Sequence, residues 1–180
     1  ERPRHFALEL TKALGGTLHE PEPARGGAPD FFERRALGLT PAQKGMVLRA
    51  LTAAGEDDVI FCNGEGPGYA LARALKKSGR RTRLAVVAHN PLRPRIALAA
   101  ALGVPARADL FYVLSPSLAA RLEARRALAG KVRLWTEQID DAFFAPGAPR
   151  ERPAGPVIVS IGLEQRDLRA LALAPKDLDV

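Results

Sequence analysis

Residues 83–90 read RLAVVAHN, and this short stretch decides the fold. Leu84 to Ala88 is a continuous apolar run of strand length, with no polar residue alternating through it. A strand that is half exposed alternates apolar and polar side chains, whereas one buried on both faces does not. The run stops at His89-Asn90-Pro91, where the residue before proline is driven out of helical backbone and the chain must turn. The same signature recurs on either side, as DVIFC at 58–62, DLFYVL at 109–114 and KVRLW at 131–135. Segments of helical period lie between these runs. Buried strands alternating with helices predict an α/β fold, a Rossmann-like, doubly wound parallel sheet built from βαβ crossovers.

The helices are bounded by recognisable signals. Phe6 to Leu14 carries Phe6, Leu10, Ala13 and Leu14 on one face and ends at Gly15-Gly16. Thr17 to Glu20 reads as a short strand and 21–29, rich in Pro, Gly and Ala, as a loop. Thr40-Pro41 opens a helix that runs to about Ala54 and ends at Gly55. Further helices are expected over 67–78, stopped by Gly79, over about 94–102, and from a Ser115-Pro116-Ser117 cap to about Ala129. After Phe144 the sequence turns to Pro, Gly and charge, and VIVSI at 157–161 begins a new strand, with a helix expected around 167–174. The expected organisation is a domain over 1–146 that lacks a first strand, a linker over 147–156, and the first βα unit of a second Rossmann-like domain over 157–180.

Composition narrows the function classes. The 47% hydrophobic and 26% charged content is that of a globular chain with a sizeable core. The longest strongly apolar stretch, Ile96 to Val104, is far short of the roughly 20 residues a membrane-spanning helix needs. Cys62 is the single cysteine, so no intramolecular disulfide can form, and with no leader pattern at residue 1 the expected setting is cytoplasmic. The net charge of +7 suits an anionic partner, a nucleotide phosphate or an acidic membrane surface, and an arginine-rich composition explains it equally. No basic run is interleaved with aromatics, which argues against nucleic acid.

Ligands of open α/β sheets bind at the carboxyl ends of the strands, and three such ends stand out. The first is Asn63-Gly64-Glu65-Gly66-Pro67-Gly68, where glycines let a ligand approach the backbone. Its spacing is not that of a phosphate loop and Pro67 removes a donor, while Glu65 suits a sugar hydroxyl or a cation. A tight turn with a solvated Glu65 accounts for it equally. The second is His89, held at a pocket rim by the turn, with Arg93 and Arg95 just beyond. The third is Gly162 to Asp167, where Arg166 at the start of a helix can clamp a diphosphate or pair with its acidic neighbours. No metal-ligand cluster, nucleophile elbow or Walker loop is present, and Ser115 and Ser117 read as helix caps.

Four segments in order carry a resemblance: ALKKSGRRTRLAVVAHN (74–90), RADLFYVLSPSLAARL (107–122), QIDDAFFAP (138–146) and VIVSIGLEQRD (157–167). Together they resemble the family-four glycosyltransferases, a GT-B family. Its members show a strand ending in His, an Ala-Asp strand leading to a Ser-containing turn, an Asp-to-Phe-x-Pro linker, and a strand followed by a glycine and basic residues. The resemblance covers about residues 58 to 174. It implies transfer of a sugar from a nucleotide-diphosphate sugar to an acceptor hydroxyl, retaining and metal-independent, with no cofactor. It also implies that 1–146 is the acceptor side, that His89 faces the donor sugar, and that Gly162 and Arg166 meet the donor phosphates. Gly64, Glu65, Gly66 and Arg93 would then line the acceptor side of the cleft. Leu163 stands where the family has an arginine, and the family's paired glutamates have no counterpart among these residues. The 180 residues alone are therefore expected to be inactive.

Two other readings stay open, a non-catalytic GT-B-like partner subunit and a nucleotide-sugar epimerase. The acceptor, whether sugar, lipid or small molecule, and the oligomeric state are not legible.

Overall fold

The computed structural model describes residues 6–89, 99 and 101–136. Contacts divide the chain into two units, Glu1–Phe144 and Ala145–Val180, and every described residue belongs to the first. The linker expected at 147–156 and the strand and helix expected within 157–180 lie outside the described residues.

Four strands form one all-parallel sheet: β1 (Val59–Asn63), β2 (Arg83–Ala88), β3 (Leu110–Val113) and β4 (Val132–Leu134). Each matches an apolar run to within a residue or two at either end. Their order in space is β1-β2-β3-β4. A doubly wound sheet is defined by a reversal of strand order. The described strands contain none, so what they establish is a Rossmann-like parallel α/β sheet.

The register sets out the core. Cys62, Val86, Phe111 and Val132 are successive partners across all four strands, and all four are buried. Side chains alternate along a strand, so Leu84, Ala88 and Val113 share that face. Against it pack α4 (Glu65–Ser78), which contributes buried Tyr69, Leu71 and Leu75, and α5 (Pro116–Glu123), which contributes Leu122. Tyr69 meets Phe111 edge to face, with ring centroids 6.3 Å apart. Each fully buried Leu, Val or Phe contributes roughly 1.5–3 kcal/mol, so this row and the α4 face dominate the stability of the unit.

The other helices are α1 (Phe6–Leu14), α2 (Phe31–Arg35) and α3 (Pro41–Ala53). Gly15 closes α1 in the left-handed region at φ 63°, and Gly79 closes α4 at φ 70°, as their positions predict. Thr40 caps α3 reciprocally with Gln43: the Gln43 amide donates to Oγ1 at 3.2 Å, and the Thr40 amide donates to Gln43 Oε1 at 2.9 Å. Of the helix expected over 94–102, residues 90–98 and 100 lie outside the described residues, while Ala99 is helical and fully buried.

Three expectations are corrected, and a segment for which none was stated proves to be a helix. Thr17 to Glu20 is not a strand; the Arg49 guanidinium bonds the Glu20 carbonyl at 2.7 Å and the Arg25 carbonyl at 3.0 Å, supplying donors that no sheet neighbour provides there. The segment after the 21–29 loop forms α2, capped reciprocally by Asp30 and Glu33. Glu33 is 3% exposed and ion-paired with Lys44 at 2.7 Å, which docks α2 onto α3. The helix α5 stops at Glu123 rather than near Ala129, because the Glu123 carboxylate accepts from the amides of Gly130 (2.9 Å) and Val132 (3.0 Å) and folds the chain back into β4. Ser115 occupies the N-cap position of α5, but its hydroxyl bonds Ser117 Oγ at 2.8 Å instead of capping the helix.

The amino-terminal edge of the sheet is tied by side chains. Thr82 Oγ1 donates to the Gly55 carbonyl at 2.7 Å, and Arg80 bonds the carbonyls of Leu51 and Ala54 where α3 ends. Arg107 donates to the carbonyls of Arg80 (2.7 Å) and Thr82 (2.9 Å), and Asp109 accepts from the Leu84 amide at 2.8 Å. Lys131 reaches the carbonyls of Ala106 and Ala108. These contacts hold strand ends that the ladder leaves without partners.

Candidate functional site at the carboxyl edge of the sheet

The opposite edge holds the described residues that the sequence singles out. Asn63 is the last residue of β1 and stands opposite Val87 in the register. His89 follows β2 and lies two residues beyond Val87, so alternation places Asn63 and His89 on the same face as diagonal neighbours. Their side chains meet: His89 Nε2 lies 2.8 Å from Asn63 Oδ1. An amide oxygen only accepts, so in a bond to Oδ1 it is Nε2 that donates. Among the described residues Nδ1 has no hydrogen-bond partner, and both side chains are exposed.

The same face carries an aromatic group that the sequence did not reveal. Phe61, Tyr112 and Trp135 have ring centroids 5.4–6.1 Å apart, in tilted and edge-on geometry. They sit one step nearer the amino-terminal edge than the Asn63–His89 pair, or on neighbouring strands, and are half-buried.

The glycine-rich turn is tighter than expected. The helix α4 begins at Glu65 rather than Pro67, so Gly64 alone joins strand to helix, at φ 128° and ψ 144°. A side chain rarely tolerates that backbone. The other two glycines are explained by close packing. A Cβ on Gly66 would lie 2.9 Å from the Leu37 carbonyl, and one on Gly68 would lie 2.6 Å from a Val86 methyl. Their smallness therefore serves the fold in the first instance.

Glu65 occupies the first turn of α4, where a carboxylate complements the helix dipole. Its charge is felt on the α4 side of the sheet. Burial, reinforced by Glu65, pushes the Cys62 thiol up to about 12, and the same two causes raise the Tyr69 phenol, against a smaller opposing pull from Arg125. His89 is on the other face. Of the predicted site residues, the structure thus places Gly64, Glu65, Gly66 and His89 at one edge of the sheet. It pairs His89 with Asn63, a residue the sequence quoted only as part of a loop. Arg93, Gly162 and Arg166 lie outside the described residues.

A groove of about 680 Å³ runs along the outer side of β1, between it, α1, α3 and the segment after α1. Asn63 and Pro67 line one end and Asp58 the other. His89 is not among its lining residues, so the groove and the histidine are adjacent features joined through Asn63.

The described residues thus define a Rossmann-like α/β unit with the Asn63–His89 pair at the carboxyl end of its parallel sheet. Comparisons with protein-family models, curated proteins and solved structures find no match to the chain. Among the described residues no group of three or more His, Cys, Asp or Glu could hold a metal ion, and no helix is long and apolar enough to cross a membrane.

Proposed function

We propose that this chain forms the acceptor side of a GT-B-type glycosyltransferase that uses a nucleotide-diphosphate sugar, transferring it to an acceptor hydroxyl with retention and without a metal. The four ordered segments that resemble the family support this reading, and one structural observation carries it. His89 is exposed at the carboxyl end of an inner parallel strand, with its ring held by Asn63. A histidine in that place can offer a lone pair to the positive charge that develops at the anomeric carbon as the bond to the diphosphate breaks. The acceptor oxygen forms the new bond, and the nucleotide diphosphate leaves with the electron pair and takes up the acceptor proton. Arg166, by the resemblance, stabilises the leaving charge. Leu163, standing where the family has an arginine, favours the second reading of a GT-B-like partner subunit without transfer activity.

Donor consumption by the longest natural chain containing these residues, against a panel of nucleotide sugars, tests the proposal. A turnover-competent donor is expected, with His89→Ala lowering kcat about 10²–10³-fold, the loss typical of one transition-state contact. Wild-type protein that consumes no donor, or a His89→Ala variant with unchanged kcat, refutes the transferase reading.

A further inference from the structure

Asn63 and His89 are separated by 26 positions in sequence and brought together only by the β1–β2 register. Neither is buried, and the bond between them does not tie any backbone group of the fold. The structural ties of the sheet lie at its other edge, through Arg80, Thr82, Arg107 and Asp109. A side-chain pair that does nothing for the ladder and stands at the ligand-binding edge has one evident physical effect, which is to fix the imidazole. The bond selects both the orientation of the ring and the nitrogen that bears its proton.

We propose that Asn63 is a positioning residue that holds His89 as the Nε2–H tautomer, so that Nδ1 is the nitrogen presented to substrate. The role in sugar transfer rests on the reading given under the proposed function; the tautomer assignment does not. With Nδ1 unprotonated, His89 acts as an acceptor: it can take a hydrogen bond from a substrate hydroxyl or face a developing cation, and it cannot donate to a phosphate. The site around His89 is therefore one for the sugar or hydroxyl portion of a ligand rather than for its anionic portion.

Long-range proton–nitrogen NMR of the neutral His89 ring in the 180-residue chain reads the tautomer directly. The wild-type ring is expected to be Nε2–H. In Asn63→Leu, which has no acceptor, the ratio of Nε2–H to Nδ1–H should fall about two- to tenfold, the worth of one net hydrogen bond. Asn63→Asp retains an acceptor oxygen at the same place, with a charge that strengthens the bond, and should hold the ratio at or above the wild-type value. A wild-type ring that is mainly Nδ1–H, or an Asn63→Leu ratio equal to wild type, overturns the proposal. Circular dichroism of each variant separates loss of the bond from loss of the fold, and Asn63, being exposed, is replaced at little cost to stability. In the natural chain Asn63→Leu is expected to lower kcat more than it changes KM, and to have no further effect once His89 is replaced by alanine. If the NMR ratios move as stated while no nucleotide sugar is consumed, the transferase reading fails and the positioning role stands.

Discussion

Replacing Gly68 by alanine tests the packing that places the candidate site. Gly68 lies in the first turns of α4, directly over β2, and a Cβ there would sit 2.6 Å and 2.9 Å from the two Val86 methyls and 3.4 Å from its Cβ. Ordinary contact between carbons is about 3.5–4.0 Å, so the two elements must part by roughly 1 Å or Val86 must rotate. Rotation offers no escape, because Val86 is 0% exposed and any displaced methyl meets other core atoms. Overpacking of this kind typically costs about 1–3 kcal/mol. The gain of alanine over glycine in a helix, about 1 kcal/mol, works against it. The expected net loss is therefore about 1 kcal/mol, read as a lower urea midpoint at unchanged slope. The decisive variant is the double mutant Gly68→Ala/Val86→Ala. Val86→Ala alone leaves a cavity and destabilises, but the methyl added at position 68 fills part of that space, so the pair should be more stable than additivity predicts by about 0.5–3 kcal/mol. A Gly68→Ala variant more stable than wild type, or strictly additive losses in the double mutant, would show that α4 does not lie this close to β2.

Two further outcomes follow from the titrating groups. Burial raises the Asp30 carboxyl, but the Arg73 hydrogen bond, the Glu33 amide and the charges of Arg73 and Lys44 outweigh it, leaving Asp30 below its ordinary 3.8. A depressed acid stabilises the fold above its unfolded value and loses that contribution as pH falls through its folded value. Between about pH 4 and pH 2, wild type should thus lose more stability than Asp30→Asn, which keeps a capping side chain; the difference is small because the pair is about half exposed, and equal losses in urea melts would contradict it. Cys62, buried and raised from 9.0 to about 12, should resist alkylation in native buffer at about pH 8 and react stoichiometrically in denaturant; labelling of the native protein at the rate of a free thiol is the contrary result.

The parts of the fold that were legible in the sequence share one physical basis. Continuous apolar runs such as RLAVVA and DLFYVL read as strands, and RLAVVA is buried on both faces while DLFYVL alternates between buried and half-buried. Glycines at 15 and 79 end helices where the backbone turns left-handed. What was not legible depended on partners distant in sequence. Thr17 to Glu20 has the look of a strand, yet a strand needs a neighbour, and Arg49 takes that place with its guanidinium. The helix α2, capped reciprocally by Asp30 and Glu33, is five residues set among glycines and prolines and carries no periodicity to read. Asn63 could not be recognised as the partner of His89, since only the register of β1 on β2 brings them to 2.8 Å. The sequence could point to a ligand edge; it could not say which side chains share one face of it.

The basic composition acquires a different meaning once the arginines are located. Arg49, Arg80, Arg107 and Arg133 all bond backbone carbonyls, and Arg73 lies over the Phe32 ring, 5.1 Å from its centroid, while paired with Asp30. A guanidinium has five donors in a fixed plane, and here those donors satisfy helix ends, turns and strand starts. Arg80 and Arg107 work at the amino-terminal edge, away from where open parallel sheets bind ligands. Part of the positive charge thus has a structural use, and the net charge of +7 does not by itself call for an anionic partner. The side chains described at the carboxyl edge are of another kind. Asn63, His89, Ser115 and Ser117 are neutral hydrogen-bonding groups, and Glu65 is an acid. These named side chains offer hydrogen bonds to a hydroxyl and bring no fixed positive charge for an anion.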